Sequence, residues 1–317
     1  MESEHDTASA DTAFLETLMF EMKKVIVGQD RALERMLACL LANGHCLLES
    51  VPGLAKTLSV ETMATSVGGT FSRIQFTPDL LPADVIGTRI YRASTETFDV
   101  ELGPVFANFV LADEINRAPA KVQSALLEVM AERQVTIGGA THPVGAPFLV
   151  LATQNPIESE GVYPLPEAQR DRFMMQVSLG YPDRAAEVAM LDAYEAHDPL
   201  ESLLPVADAL TLRRLQHTTR SIHASENVKR YIVDIVSATR REPLLRLGAS
   251  PRSSVHLLQA AKALSLLKGR DHVLPDDVQS LVPAVLAHRV LLSTEAHLDR
   301  RSATAVVSDV VARVPVS

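Results

Sequence analysis

A chain of 317 residues is long enough for about two domains and for a core that needs no staples. Its formal net charge of −9 has the wrong sign for a surface that tracks nucleic-acid phosphates, and no apolar run reaches the length of a membrane span. Two cysteines form no disulfide framework, and the polar, acidic opening MESEHDTASADTAF does not read as a signal peptide, so a reduced, cytoplasmic setting is expected.

Residues 1–10 are polar and are expected to be disordered. Apolar positions at helical spacing follow over 11–26 and 29–43, broken at Gly28. HCLLES (45–50) reads as a short buried strand, and TLSVETMATSVG (57–68) as the next helix. FSRIQF (71–76) alternates as a strand does, and 77–104 mixes Pro, Gly and short β-like pieces, which predicts a hairpin insertion. NFVLADE (108–114) is an apolar run ending in two carboxylates, the pattern of a buried parallel strand. A helix over 118–133, a hairpin over 134–144 around Gly138-Gly139, and a strand over 147–155 complete the series.

Strands alternating with helices predict a parallel α/β sheet. From Asp183 the pattern is helical throughout, at 183–197, 207–221, 225–241, 252–268, 275–287 and 302–313, with no strand between. The expected organisation is an α/β core over 11–180 and a small all-α lid over 183–317. The ten histidines include no H-x-x-x-H or H-E-x-x-H pair, so no metal beyond a nucleotide-bound cation is expected.

ESVPGLAKT (49–57) approaches the phosphate loop G-x-x-x-x-G-K-[ST], with Ser50 and Ala55 in place of its glycines. Such a loop works through backbone N–H groups at a helix start, a lysine on the outer phosphates and a hydroxyl on magnesium. Lys56 and Thr57 carry the two side-chain roles, between a strand and a helix as the motif requires. Asp113 and Glu114, at the C-terminal end of an apolar strand, lie where ligands bind in open α/β sheets. Such a pair can hold magnesium and polarise an attacking water. Read alone, each feature has a plainer alternative in a chance loop or a solvated strand end.

The chain resembles the AAA+ ATPases, and within them the MoxR family, over about residues 25–178 and more weakly beyond. The residues that carry the resemblance are VIVGQDRALERML (25–37), the loop VPGLAKT (51–57), FTPDLLPADVIG (76–87), GPVFANFVLADEINRAPAKVQSALLEVMAERQVTIGG (103–139) and LATQNPIESEGVYPLPEAQRDRF (151–173). Alanine before the lysine is usual in that family, so only Ser50 departs from its loop. The resemblance implies a three-layer α/β/α core with β-hairpin insertions, an all-α lid, and Mg-dependent ATP hydrolysis.

Residue by residue, it implies that Val27, Gly28 and Gln29 line the adenine. Val51, Pro52, Gly53, Leu54, Ala55, Lys56, Thr57 and Leu58 would cradle the phosphates, with Thr57 and Asp113 on Mg2+. Glu114 would be the base, and Asn155 the sensor that helps place the lytic water. Arg172 would be the finger reaching a neighbouring subunit, with Arg170 the competing candidate. Arg252, in GASPRSS, would be a lid sensor touching the same phosphates from above. The family further implies a hexameric ring, partners carrying von Willebrand factor A domains, and a client that is remodelled, matured or loaded with metal. No nucleic acid and no membrane insertion are expected. A low-turnover nucleotide-dependent scaffold or switch, kept open by Ser50, and a magnesium-chelatase-like motor subunit are the alternatives.

Overall fold

The computed structural model of the protein describes residues 2–49, 53–154, 162–196 and 198–316. It opens with helices α1 (Glu2–Val25) and α2 (Asp30–Leu41). Residues 2–10, expected to be disordered, belong to α1. No glycine or proline interrupts 2–25.

Strands and helices then alternate. In order they are β1 (Cys46–Glu49), α3 (Lys56–Ser66), β2 (Phe71–Gln75), α4 (Pro82–Ile86), β3 (Gly87–Arg92), β4 (Thr97–Leu102), β5 (Phe109–Asp113), α5 (Ala120–Glu132), β6 (Gln134–Ile137), β7 (Ala140–Pro143), β8 (Leu149–Gln154), α6 (Glu167–Arg170) and β9 (Met175–Ser178). β1, β2, β5, β8 and β9 form one parallel sheet in the order β2-β5-β8-β1-β9. All five C-terminal ends therefore share one edge. β3–β4 and β6–β7 are separate antiparallel hairpins, as expected for 77–104 and 134–144.

Side chains alternate across the sheet and build two cores. Leu48, Phe109, Leu111, Leu149 and Leu151 pack on one face with α1, α2 and α3. Leu47, Val110, Ala112, Val150 and Ala152 pack on the other with Val122, Leu126 and Leu127 of α5. The expected three-layer α/β/α arrangement is what results. β9 was not foreseen, since four residues inside FMMQVSLG carry too little alternation to separate strand from loop.

The C-terminal region holds α7 (Arg184–Ala196), α8 (Ala209–Ser221), α9 (Glu226–Thr239), β10 (Leu245–Leu247), α10 (Pro251–Leu267), α11 (Pro275–Leu286), β11 (Leu291–Leu292), α12 (Thr294–Leu298) and α13 (Ala303–Arg313). It is helical as expected, except that β10 and β11 pair antiparallel. Two registered pairs are too few to show a two-residue period. Leu212, Leu215, Leu257 and Leu264 of α8 and α10 join the same buried cluster as Leu33 and Leu37 of α2. This region thus shares its core with one face of the sheet.

Candidate active site

The phosphate-loop text runs from β1 into α3. Ser50, Val51 and Pro52 lie outside the described residues, as does Asn155. Gly53 has φ +85° and Ala55 φ +51°, so the position before the lysine is left-handed. That conformation costs an alanine roughly 1–2 kcal/mol. It turns the chain sharply into α3, whose first residues are Lys56 and Thr57. Among the described residues Lys56 makes no ion pair and the Thr57 hydroxyl takes no hydrogen-bond partner. Leu54 and Leu58 anchor the loop and helix start by packing against the core.

Two strands away, Asp113 closes β5 at the same edge and is buried. Its Oδ1 accepts the Thr153 hydroxyl at 2.6 Å, and its Oδ2 accepts Arg73 Nη2 at 2.6 Å and Nε at 3.2 Å. Burial pushes the carboxyl up, but hydrogen bonds from Thr153 and Arg73 and the charges of Arg73 and Lys56 outweigh it, leaving its pKa below the ordinary value. Asp113 therefore contributes stability that is present above the usual carboxylate range, near ~3.9, and lost as pH falls through the folded value. Thr153→Val removes the bond to Asp113 Oδ1 and orphans the Glu114 N–H. It should cost about 1.5–3 kcal/mol and move the acid-unfolding midpoint to higher pH. A circular-dichroism acid titration matching wild type would refute this.

Glu114 has φ +56°, which lifts it out of the strand. Its N–H donates to Thr153 Oγ1 at 2.8 Å. Its carboxylate accepts Gln75 Nε2 at 2.9 Å and pairs with Arg117 Nε at 3.0 Å. The strand register explains the cluster: Gln75 of β2 stands opposite Asp113 of β5, which neighbours β8 with Thr153. Arg73, Gln75 and Thr153 escape sequence reading because only strand order brings them to the carboxylates, whereas Arg117 reaches Glu114 through the local turn three residues on.

Val27, Gly28 and Gln29 join α1 to α2. Gln29 Nε2 donates to the Gly180 carbonyl at 2.6 Å. Gly28 has φ +76°, and a Cβ there would lie 2.6 Å from the Ala186 Cβ. This segment therefore packs on the passage from β9 into α7.

Arg172 and Arg252 are elsewhere. Both line a cavity of about 580 Å³ with Asn43, His45, Arg133 and Lys262. Asn43 and His45 precede β1, whereas Lys56 follows it. At about 3.3 Å per residue the strand separates the two ends by at least ~13 Å. Arg252 does not overhang the chain's own phosphate loop, as the sequence reading expects of a lid sensor. Instead it pairs with Asp171 at 3.4 Å, because α10 packs on α2, beneath the sheet edge. Arg172 Nη1 donates to the Leu127 carbonyl at 2.6 Å. Arg170 does not line the cavity; its charge bears on buried His288, and its Nε is buried without a partner among the described residues.

The oxygen set of Thr57 and Asp113 suits a hard cation that keeps most of its ligands as water and phosphate. No three-residue His, Cys, Asp or Glu cluster for a metal occurs among the described residues, so a cation would rely on the nucleotide for further ligands.

A parallel sheet in this order, with a lysine-led helix after one central strand and an Asp-Glu pair ending another, defines an ATPase of the AAA+ class. Residues 45–175 match the model of the "ATPase family associated with various cellular activities (AAA)", and 237–310 match an AAA lid domain. The chain is 53% identical to Chaperone MoxR1 of Mycobacterium tuberculosis, over 96% of this chain and 83% of that one. It is 48% identical to the Bacillus subtilis protein YeaC, over 93% and 92%. A solved structure from Cytophaga hutchinsonii, put forward as an ATPase, superposes with TM-score 0.93 at 42% identity, covering 100% of this chain and 98% of that one. The chain belongs to the MoxR family of AAA+ ATPases.

Proposed function

We propose that the chain hydrolyses MgATP at an interface between two copies and uses the cycle to remodel a client protein. One observation carries this reading: Lys56, Asp113 and Glu114 stand at one end of β1, and Arg172 and Arg252 at the other. One chain thus offers two half-sites that only a head-to-tail neighbour can join, and such contacts close into rings. A hexamer is the family's usual ring.

Lys56 and the α3 amides would bind the phosphates, with Thr57 and Asp113 on Mg2+, which would neutralise charge as the outer phosphate leaves. Glu114 would orient and deprotonate the water. Arg172 and Arg252 of the next copy would stabilise the developing charge. Val27, Gly28 and Gln29 would flank the adenine. The pairing of Glu114 with Arg117 and Gln75 engages the carboxylate that would act as base and favours low basal turnover. Chaperone MoxR1 is named for a chaperone role. A similar role here would recruit the client through a partner with a von Willebrand factor A domain. The exposed β3–β4 hairpin and the β6–β7 hairpin would transmit the motion. No helix among the described residues is long and apolar enough to cross a membrane.

The test is steady-state ATP hydrolysis across a protein-concentration series, with and without Mg2+. Turnover per chain should rise cooperatively with concentration, require Mg2+ and vanish in Lys56→Ala. Turnover per chain that is flat with dilution would overturn the shared site.

A further inference from the structure

Arg289, at the junction of α11 and β11, has no role in the reading above. Yet its side chain is 1% exposed and enters the turn that carries Arg172. Its Nε pairs with Asp171 Oδ1 at 2.9 Å. Its two terminal nitrogens donate to the carbonyls of Phe173 and Val285, and to that of Met174 at 3.2 Å. One of them also donates to His256 Nδ1. Burial, with Arg289 and Arg252 nearby, pushes the His256 pKa down to about 3, so the ring is a neutral acceptor.

Asp171 is the other half of the device. Besides Arg289, its carboxylate accepts the Ser250 hydroxyl at 3.1 and 3.2 Å and pairs with Arg252 at 3.4 Å. One carboxylate, next in sequence to Arg172, therefore gathers the start of α10 and the end of α11. A buried guanidinium is costly unless every donor is used, and its planar fork holds several acceptors at fixed angles.

We propose that Arg289 is a positioning residue: it locks Asp171 and the 171–174 turn so that Arg172 and Arg252 project as one unit toward the nucleotide of a neighbouring chain. This rests on the reading that Arg172 acts between copies. Arg289 touches no phosphate; it acts only through Asp171 and the turn.

The experiment uses full-length chains, singly and mixed in equal amounts. Arg289→Met alone should bind a fluorescent ATP analogue as wild type does but turn over about 10²-fold more slowly, the cost of a ~1 Å misplacement. Mixed with Lys56→Ala, which keeps its own Arg172 and Arg252, it should recover up to about a quarter of wild-type turnover. Half of the chains keep a phosphate loop, and half of those face an intact arginine pair. Arg172→Ala mixed with Lys56→Ala is the control. Recovery in both mixtures supports the proposal. Recovery in the control alone overturns it and leaves the shared site standing. Recovery in neither removes the shared site and the proposal together. Arg289→Lys keeps the charge without the fork and replaces the methionine variant if that one does not fold. A folded Arg289→Lys chain with wild-type kcat overturns the proposal.

Discussion

Glu114→Gln should keep nucleotide and lose turnover by about 10²–10⁴-fold, the usual weight of a general base, the role proposed for Glu114. The amide has the shape of the carboxylate, and its oxygen can still accept the Gln75 Nε2 bond now made at 2.9 Å. The backbone tie from Glu114 N–H to Thr153 is untouched. What disappears is the capacity to take a proton from water, so binding and chemistry separate. Equilibrium binding of a fluorescent ATP analogue and steady-state hydrolysis measure the two halves. Near-wild-type hydrolysis in the variant would remove Glu114 from the chemistry. Loss of binding would instead assign it to holding the loop.

If Arg172 is the finger, Arg172→Ala should cost more, about 10³–10⁵-fold in turnover, because a guanidinium placed on the transferring phosphoryl acts only as charge develops. Its side chain bonds the Leu127 carbonyl at the rim of the basic cavity, so its loss should leave the fold nearly unchanged. Arg170→Ala is the comparison. That side chain does not line the cavity, so its replacement should leave kcat near wild type. Kinetics and melting curves of the two variants decide between the two arginines. The reverse pattern would make Arg170 the finger.

The contrast between legible and hidden residues has a physical source. Lys56 and Thr57 are consecutive, and the role proposed for them follows from a strand-to-helix turn that the local sequence spells out. Asp113 and Glu114 stand out because an apolar run ends in two acids. Arg73, Gln75 and Thr153 act on those same acids, but from strands β2 and β8, and no local pattern announces which strands are neighbours. Arg289 lies 118 residues from Asp171 and is one arginine among many. Arg252 stands out in GASPRSS, but where it lies depends on how α10 docks on α2. The helical start at residue 2 was hidden by polarity: the segment has no breaker, but it also has no apolar stripe to advertise it.

The cluster that joins α2 to α8 and α10 bears on how the molecule can be cut. Leu212, Leu215, Leu257 and Leu264 share one buried core with Leu33, Leu37 and the sheet residue Leu48. A fragment ending near Pro182 would expose that apolar face to water, and the helical remainder would expose its mate. Such a chain should melt as one cooperative body rather than two, with calorimetric and van't Hoff enthalpies that agree. Its parts are therefore not interchangeable modules: grafting the helical half onto another core would require rebuilding one whole side of the sheet.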